Sequence, residues 1–535
     1  MQKTEKRVLW TLGVMLLLFA FCMAQLLQAT LWRGTLAQTA ATQQHLTLTF
    51  SAGRGTVYDR NMQALTGGRI TYLTAVEPGR ESAAALSRSL SKQQMQALYP
   101  QLKEGYPFFT YLPVRVKGEG VLSFPQQQRR PSHPLAPHLV GYLDGSGHGV
   151  CGAEKAFDKV LSSAASTTRI TYTVDALRHP LPGEQPQVTS TAAGTSSSEV
   201  LTIDSGLQKL AETAAGTAFE KGAVVILKAG SGEILASASL PSFDPADLSK
   251  TVQQADGALV DRTLAPCSVG SVFKIAAAAA ALENGLDPNA VYTCHGSETA
   301  GGFAFHCAGG ESHGRITLQQ ALAQSCNSYF VSCMRKVPPT AFLQMARRLG
   351  FGQKTEIAPQ LCGGAGTLPS LLELKNPRAL ANFSFGQGTL TASPMQVAAM
   401  VNAVASGGIY TRPSLSLGTA NATGKIVVPA EKPAGTRAFT QRTADLIRDG
   451  MEMSAEKGTG RAGKPQYVKA AVKTATAQTG HYTAGKEDVV SWYAGFFPVD
   501  SPRYVVVIME DGGSGGGVSC GPIFRRIADT LYPKD

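Results

Sequence analysis

Charged residues are scarce in this chain of 535 residues, at 16% of the total, against about 25% in typical soluble domains. Together with 43% hydrophobic residues, this excludes a chain kept disordered by its own charge. Cysteine is also rare. The nine cysteines are too few for a fold held together by disulfides, and their number is odd. No internal repeat is present, and glycine and proline recur without a period, which excludes a collagen-like chain. The length predicts roughly two to four globular domains.

Basic residues outnumber acidic residues, and the formal net charge is +11. Such an excess predicts anionic surroundings, of which nucleic acid, lipid headgroups and anionic wall polymers are the candidates. The sequence contains no basic helix face, no aromatic strand of the RNA-binding type and no zinc-finger spacing. We therefore predict no nucleic-acid partner.

No residue from position 8 to position 32 is charged. As a helix this segment would be about 37 Å long, which exceeds the roughly 30 Å of a bilayer's hydrocarbon core. Lys3, Lys6 and Arg7 precede it, so the positive-inside rule places residues 1–7 in the cytoplasm and the rest of the chain outside. A cleaved signal peptide is the alternative, but the apolar stretch is long for one and no Ala-x-Ala site follows it.

A small and polar stretch over residues 187–199 has nothing to bury and predicts a linker. Beyond it, strand-like runs lie near both ends of the remaining chain and helical patterns lie between them. This order predicts an α/β fold of the α+β type, with one sheet sandwiched by helices. The predicted strands are 223–228, 233–237, 467–477, 489–497 and 504–510, and the predicted helices include 271–283 and 318–335, the latter after a capping box of Thr317 and Gln320.

Ser271 and Lys274 stand three positions apart at the start of an apolar, alanine-rich helix, which brings both side chains onto one face. A serine hydroxyl is inert until its proton is removed, and a lysine can remove it only if burial or a second cation keeps part of it neutral. The pattern alone is weak, because Ser89 and Lys92 have the same spacing. Only the apolar helix after Ser271 predicts a lysine withdrawn from water.

Two further motifs follow along the chain. Ser325-Cys326-Asn327 supplies a second hydroxyl and an amide, and Lys473-Thr474-Ala475-Thr476 supplies a cation and two hydroxyls on a predicted strand. In this order the three motifs resemble the S-x-x-K, S-x-N and K-T-G set of penicillin-recognising enzymes.

Other segments, spread over residues 54–510, resemble landmarks of the class B penicillin-binding proteins. No E-D-x-x-F-x-x-H pattern of a glycosyltransferase is present, and the region before the linker leaves little room for that domain, which argues against class A. The landmark segments are 54–61 (R-G-x-I-x-D-R-N), 152–161 (G-x-E-x-x-Y-x-x-x-L), 201–208 (L-T-I-D-x-x-L-Q), 384–388 (S-x-G-Q-G) and 393–396 (T-P-x-Q).

The resemblance implies an acyltransferase that cross-links peptidoglycan stem peptides at their D-alanyl-D-alanine ends and is acylated by β-lactams. It requires no cofactor and no metal. Backbone N–H groups of Ser271 and Thr476 would form the oxyanion hole. The implied side-chain roles are nucleophile for Ser271, general base for Lys274, proton relay and amide positioning for Ser325 and Asn327, and carboxylate binding for Lys473, Thr474 and Thr476.

The resemblance also implies the domain plan. After the tail over 1–7 and the transmembrane helix over 8–32, we expect an elongated, non-catalytic pedestal over 45–200 and a transpeptidase domain over 201–535, built on a central antiparallel five-stranded sheet. The implied partners are stem peptides and, docked through the helix and the pedestal, a polytopic SEDS-type glycan polymerase.

One departure leaves alternatives open. Ala475 occupies the position of the third motif's glycine, where the substrate backbone approaches closely, so its methyl group is harmless if it faces away and slows acylation if it does not. The first alternative function is a carboxypeptidase or β-lactamase, which passes the acyl group to water. The second is a catalytically slow scaffold or wall-binding subunit.

The cysteine and histidine residues give a further set of candidates. Cys294-His295 and His306-Cys307 bracket a loop, but adjacent ligands on an extended chain point in different directions, which argues against zinc. A disulfide between Cys294 and Cys307 is favoured over zinc and is left open. The remaining candidates are expected to be structural: Cys267, Cys326 and His313.

Overall fold

The computed structural model describes residues 2–28, 44–67, 70–127, 129, 134–163, 166–191, 197–254, 256–421, 423–483 and 485–534. The chain forms two compact units, one of residues 1–54, 68–128 and 165–194 and the other of residues 55–67, 129–164 and 195–535. The second unit therefore includes residues that precede position 200. Val57, Leu139 and Phe157 lie before that position, and all three are buried in the main hydrophobic core of the second unit.

The first unit begins with a long apolar helix, Gln2–Leu27. Its segment Glu5–Leu27 has a mean hydropathy of 2.1 and is long and apolar enough to cross a membrane. The predicted helix is thus present as far as Leu27, and residues 29–32 lie outside the described part of the chain. The unit also contains two three-stranded sheets. Its other elements are helices Arg80–Ser89 and Lys92–Glu104 and strands His45–Ala52, Ile70–Val76, Phe108–Leu112, Val121–Gln127, Ser166–Thr173 and Gln187–Ser190.

The second unit is built around an antiparallel sheet of five strands. In chain order these are β1 (Gly222–Lys228), β2 (Ile234–Leu240), β3 (Ala471–Thr483), β4 (Lys486–Phe497) and β5 (Tyr504–Asp511). Their order across the sheet is β2-β1-β5-β4-β3, so an early hairpin and three late strands form one sheet, as predicted. β3 is an edge strand and runs beyond the predicted end at residue 477, because it continues to pair with β4 past an irregularity after Gln478.

Helices cover both faces of this sheet. On β1, Ala223 and Val225 face the main core, whereas Val224 faces a second core that includes helix Gly521–Leu531. Other α-helices of this unit are Pro137–Val140, Gly152–Ala156, Asp158–Ser162, Ser205–Gly216, Leu248–Gln254, Pro339–Arg348, Pro377–Ser384, Pro394–Ala405 and Gln441–Lys457. The remaining strands are Val57–Tyr58, Ser198–Leu201, Cys267–Ser268, Tyr292–Cys294, Ser297–Ala300, Phe303–His306, Gly314–Ile316, Thr355–Ala358, Leu361–Gly363, Thr391–Ala392, Ile409–Tyr410, Ser416–Ala420, Ile426–Pro429 and Thr436–Arg437.

Three sequence predictions need correction. The helix predicted over 271–283 begins as a 3-10 turn, Gly270–Phe273, and becomes α1 (Lys274–Glu283). The helix predicted over 318–335 is two helices, α2 (Leu318–Ala323) and α3 (Asn327–Met334). It breaks because Ser325 has a φ of 56°, a left-handed conformation that a helix cannot contain. The predicted linker over 187–199 contains strand Gln187–Ser190 and the start of strand Ser198–Leu201, and its residues 192–196 lie outside the described residues.

Candidate active site

Ser271 lies in the 3-10 turn that leads into α1 and is partly exposed. The turn is packed tightly against β3, because a Cβ atom placed on Gly270 would lie 3.0 Å from the Cβ atom of Ala477. Gly270 has a φ of 63°, and its N–H group donates to the carbonyl oxygen of Gly386 at 2.9 Å. The S-x-G-Q-G segment therefore supports the turn that presents Ser271.

Lys274, at the start of α1, is completely buried. Its Nζ atom lies 3.0 Å from Ser271 Oγ, 3.2 Å from Ser325 Oγ and 2.6 Å from Asn327 Oδ1. It also donates to the backbone carbonyl of Ser325 at 2.7 Å. None of these partners is a carboxylate. Burial lowers the pKa of the amine from 10.5 to about 7, although the Cys326 and Cys307 sulphur atoms act in the opposite direction.

The break between α2 and α3 places the S-x-N motif around this amine. The left-handed conformation of Ser325 turns both its carbonyl oxygen and its hydroxyl toward Lys274. At the start of α3, Asn327 accepts from Lys274 and donates through Nδ2 to the carbonyl oxygen of His306 at 2.9 Å. The predicted continuous helix would not have exposed that carbonyl of Ser325, since helical carbonyls bond within the helix.

The third motif lies on the edge strand β3. Lys473 is completely buried and donates to Ser325 Oγ at 2.8 Å and to the carbonyl of Thr474 at 2.9 Å. Burial, and then the charge of Lys274, lower the pKa of Lys473 well below its ordinary value. Ser325 Oγ thus bridges two buried amines. The Thr474 hydroxyl donates to Thr459 at 2.7 Å, and Thr476 is exposed.

The methyl group of Ala475 points into the protein. Its residue is 4% exposed and belongs to the main core, together with Ala477 on the same face of β3 and Trp492 opposite it on β4. Adjacent side chains on a strand face opposite sides, so the exposed side chain of Thr476 and the methyl group of Ala475 do not share a face. The structure thus favours the interpretation in which the methyl group is harmless.

All seven predicted site residues therefore lie in one unit, and six of them are linked directly or through one another by hydrogen bonds. Sequence reasoning missed two contributors. The ring of Phe330 lies with its centroid 5.8 Å from Lys274 Nζ, and Thr459 accepts from Thr474. Neither belongs to a motif, although Phe330 could have been suspected from its place on the helix that Asn327 begins.

Another S-x-x-K pair, Ser89 and Lys92, lacks this setting. Ser89 ends one helix, Lys92 begins the next, and both side chains are exposed. Their exposure leaves Lys92 in water, without the burial that surrounds Lys274. The prediction that only Ser271 has the required context is consistent with this geometry.

The structure also brings together cysteine and histidine side chains next to the site. Cys294 and Cys307 are both free thiols, and with His313 and Cys326 they form a group whose possible ligand atoms lie within 4.8 Å of one another. The sequence argument against zinc concerned the adjacent pairs that contain His295 and His306. Neither of those histidines belongs to this group, and the missed signal is the spacing C-x12-C-x5-H-x12-C.

Comparison with known proteins gives the same picture of the second unit. The family model described as "Penicillin binding protein transpeptidase domain" matches residues 222–529. The chain is 32% identical over 430 residues to penicillin-binding protein PbpB of Mycolicibacterium smegmatis. This alignment covers 76% of this chain and 64% of that protein. The chain is also 28% identical over 437 residues to peptidoglycan D,D-transpeptidase FtsI of Escherichia coli K12. That alignment covers 75% of this chain and 66% of FtsI. The chain thus spans less than two thirds of either relative.

Solved structures share the fold. The crystal structure of penicillin binding protein 3 from Mycobacterium tuberculosis, complexed with aztreonam, superposes with a TM-score of 0.66 at 26% sequence identity. The match covers 90% of this chain and 96% of that chain. The fold similarity therefore extends well beyond the residues that the family model matches.

Proposed function

Because the chain belongs to the class B penicillin-binding proteins, we propose that it is a peptidoglycan D,D-transpeptidase that works through an acyl-enzyme on Ser271. Its substrate is the D-alanyl-D-alanine end of a stem peptide, and its product is a cross-link between two stems. One observation carries the mechanism: the amine of Lys274 is buried, has a lowered pKa and lies 3.0 Å from Ser271 Oγ.

In the acylation step, Ser271 Oγ bonds to the carbonyl carbon of the penultimate D-alanine, and the C–N bond to the terminal D-alanine breaks. The Oγ proton passes to the neutral amine of Lys274 and then, through Ser325, to the leaving nitrogen, so that free D-alanine departs. The N–H groups of Ser271 and Thr476 stabilise the negative charge that develops on the carbonyl oxygen. A β-lactam enters the same step, and its ring opens as the ester forms.

Substrate binding uses the open edge of β3. An extended stem peptide can pair with an edge strand through its backbone, with its terminal carboxylate held by the hydroxyls of Thr474 and Thr476. Asn327 orients the substrate amide. Because Lys473 is buried against Ser325, we assign it support of Ser325 rather than the direct contact with the carboxylate that the resemblance implied.

In the second step, an amine from a neighbouring stem attacks the ester and restores Ser271. Attack by water instead would make the chain a carboxypeptidase or a β-lactamase. The two outcomes differ in product, so incubation with a stem-peptide substrate that carries an acceptor amine separates them. A cross-linked dimer in the mass spectrum supports the transpeptidase, whereas only the shortened monomer would support hydrolysis.

The nucleophile is tested with the full chain in detergent and a fluorescent penicillin. We expect one labelled peptide, which contains Ser271, and complete loss of labelling in Ser271→Ala. Ser89→Ala is the matched control, because it removes the serine of another S-x-x-K pattern from an exposed position. Labelling that survives Ser271→Ala would contradict the proposal, and a folded wild-type chain that takes no label would favour the slow scaffold.

We infer that the helix Gln2–Leu27, which is long and apolar enough to cross a membrane, anchors the protein there. We propose that the second unit faces the extracytoplasmic side, where peptidoglycan lies. The charges of Lys3, Lys6 and Arg7 favour this orientation. A membrane-impermeant thiol reagent should label the exposed Cys362 in intact spheroplasts, and protection of that thiol until lysis would reverse the assignment. A polytopic SEDS-type polymerase remains the proposed partner, and co-purification of the full chain with it tests this.

A further inference from the structure

Three cysteines and one histidine converge beside the S-x-N motif. Cys294 ends a short strand, Cys307 follows a hairpin, His313 precedes the strand Gly314–Ile316, and Cys326 lies between α2 and α3. The three cysteines are between 0% and 3% exposed, and His313 is partly buried. A disulfide would use only two of these four side chains, so the cluster needs another explanation.

Three of the six donor–donor distances match the edges of a metal-centred tetrahedron, and all six are within 4.8 Å. The Sγ atom of Cys307 lies 3.8 Å from that of Cys294 and 3.7 Å from that of Cys326, and Cys294 Sγ lies 3.4 Å from His313 Nδ1. Four donors around Zn²⁺, with Zn–S of about 2.3 Å and Zn–N of about 2.0 Å, put neighbouring sulphur atoms about 3.8 Å apart and sulphur and nitrogen about 3.5 Å apart. A disulfide bond is only about 2.05 Å long.

Each of the three sulphur atoms has a hydrogen-bonding neighbour outside the cluster. Backbone N–H groups of Gly296 and Tyr329 donate to the Sγ atoms of Cys294 and Cys326, each at 3.4 Å. The hydroxyl of Ser328 lies 3.2 Å from Cys307 Sγ. Hydrogen bonds of this kind orient metal-binding side chains and stabilise their charge.

We propose that Cys294, Cys307, His313 and Cys326 bind one Zn²⁺ ion in a closed tetrahedral site. Three thiolates and one imidazole fill all four positions, which is typical of structural zinc and leaves no position for substrate. Soft sulphur donors in a tetrahedral arrangement favour zinc over magnesium or calcium. The evidence for this site does not rest on the proposed acyl transfer, because none of its four ligands is assigned a chemical step in that reaction.

The ion would hold two neighbours of Asn327 in place. Cys326 precedes Asn327 in the chain, and Cys307 follows His306, whose carbonyl oxygen accepts from the Asn327 amide. The segment that connects strands Tyr292–Cys294 and Gly314–Ile316 contains one small hairpin. The metal would therefore also link this segment to the start of α3. The four ligands are positioning residues in this interpretation.

Metal content is measured first. The full chain, purified in detergent with a tag that contains no histidine, should hold one zinc ion per chain by elemental mass spectrometry. After removal of zinc with a chelator and a reductant, one equivalent of Co²⁺ should give a thiolate-to-cobalt charge-transfer band and the intense visible bands of tetrahedral cobalt. A metal-free preparation that gives no such bands on addition of Co²⁺ would overturn the site.

Variants then locate the ion. Cys294→Ser and His313→Gln should each weaken Zn²⁺ binding at least tenfold in competition with a chromophoric chelator, and each should lose or alter the cobalt bands. His295→Gln and Cys333→Ser are matched controls, because they remove a neighbouring histidine and another buried cysteine without touching the cluster. Unchanged binding in both cluster variants would overturn the proposal.

Three further readouts remove ambiguity. Ser271→Ala should bind the same single zinc ion, so loss of penicillin labelling and loss of metal are separate results. Peptide mapping without reduction reports the oxidation state, and a Cys294–Cys307 disulfide in freshly purified protein would replace the zinc site. If the ion positions Asn327, chelation should slow penicillin acylation of the wild-type chain and lower its melting temperature, and Zn²⁺, but not Mg²⁺, should restore both.

Discussion

Two lysine side chains with no carboxylate among their hydrogen-bond partners lie on either side of the hydroxyl of Ser325. Burying an ammonium group without an anionic partner is costly, and the amine relieves that cost by losing its proton. The proposed role of Lys274 as a base at neutral pH therefore depends on its burial in the fold. Lys92, which has the same sequence pattern but is exposed, has no such environment.

The rate of penicillin acylation should report the protonation of Lys274. Its pKa is lowered to about 7, so the neutral, reactive fraction grows as the pH rises and should be about tenfold smaller at pH 6 than at pH 8. Stopped-flow measurement of the acylation rate from pH 5.5 to pH 9 should therefore rise and then level off above about pH 8.

The control for this profile is Lys274→Arg, which keeps the cation but cannot become neutral and should abolish acylation while the circular dichroism spectrum is unchanged. A rate that keeps rising tenfold per pH unit up to pH 10 would show that Lys274 has an ordinary pKa.

The substitution Ala475→Gly tests whether the alanine of the third motif matters. Since the methyl group is buried in the core, we expect no change in the acylation rate. We expect a loss of about 1–2 kcal/mol in the free energy of unfolding, because glycine weakens a strand and a buried methyl group is lost. Ala477→Gly, on the same face, should destabilise the chain similarly in urea unfolding. Faster acylation in Ala475→Gly alone would mean that the methyl group obstructs the substrate.

At the scale of secondary structure, the site depends on two interruptions of helices. The first is the 3-10 turn before α1, which contains Ser271. The second is the left-handed conformation of Ser325 between α2 and α3, which directs its hydroxyl toward both lysines. Each interruption has a tertiary support: β3 packs against the first, and the amine of Lys274 bonds the carbonyl that the second exposes.

The substitution Gly270→Ala should damage both the stability and the site. A positive φ costs a non-glycine residue about 1–2 kcal/mol, and the added methyl group would also press on Ala477 and shift the turn that holds Ser271. We expect a lower urea midpoint and a slower acylation rate. Gly285→Ala is the matched control, because Gly285 also has a positive φ, of 86°, but has nothing within 4 Å, so it should lose stability and keep its acylation rate. Equal acylation rates in the two variants would exclude the tight packing against β3 as the cause.

At the scale of the whole molecule, the second unit is assembled from three separate stretches of the chain. Residues 55–67 and 129–164 supply Val57, Leu139 and Phe157 to the same core that contains α1 and β3. Within this unit, Arg129 and Glu154 form an ion pair at 2.6 Å in which Glu154 is 1% exposed. The core of the unit that holds the proposed active site therefore includes segments that a cut at residue 200 would remove.

Neutralising that pair should destabilise the second unit as a whole. Glu154→Gln removes the buried negative charge that Arg129 contacts, and breaking a buried ion pair costs about 3–5 kcal/mol in comparable cases. Urea unfolding monitored by fluorescence measures the loss. Glu356→Gln breaks an exposed pair with Arg412 and should cost less than about 1 kcal/mol. Equal losses would show that the Arg129–Glu154 pair contributes no more than a surface pair.

The sequence by itself determined the local and ordered features of this protein. Hydrophobic periodicity and composition were enough to predict the apolar helix at the start of the chain, the five strands and the buried alanine run of α1. Each of these follows from hydrophobic patterning within its own segment. The motif order likewise selected Ser271 over Ser89. Only the tertiary structure decided the breaks at Ser271 and Ser325, since left-handed and 3-10 conformations there are stabilised by distant contacts with β3 and Lys274.

The tertiary structure also decided the features that depend on contacts between distant segments of the chain. The direction of the Ala475 methyl group depends on the register of β3 with β4, and the lowered pKa of Lys274 depends on the protein that surrounds it. The group of Cys294, Cys307, His313 and Cys326 exists because the fold closes a loop of the chain onto α3. Burial, register and loop closure are properties of the assembled chain, which is why sequence reasoning named these side chains but not their arrangement.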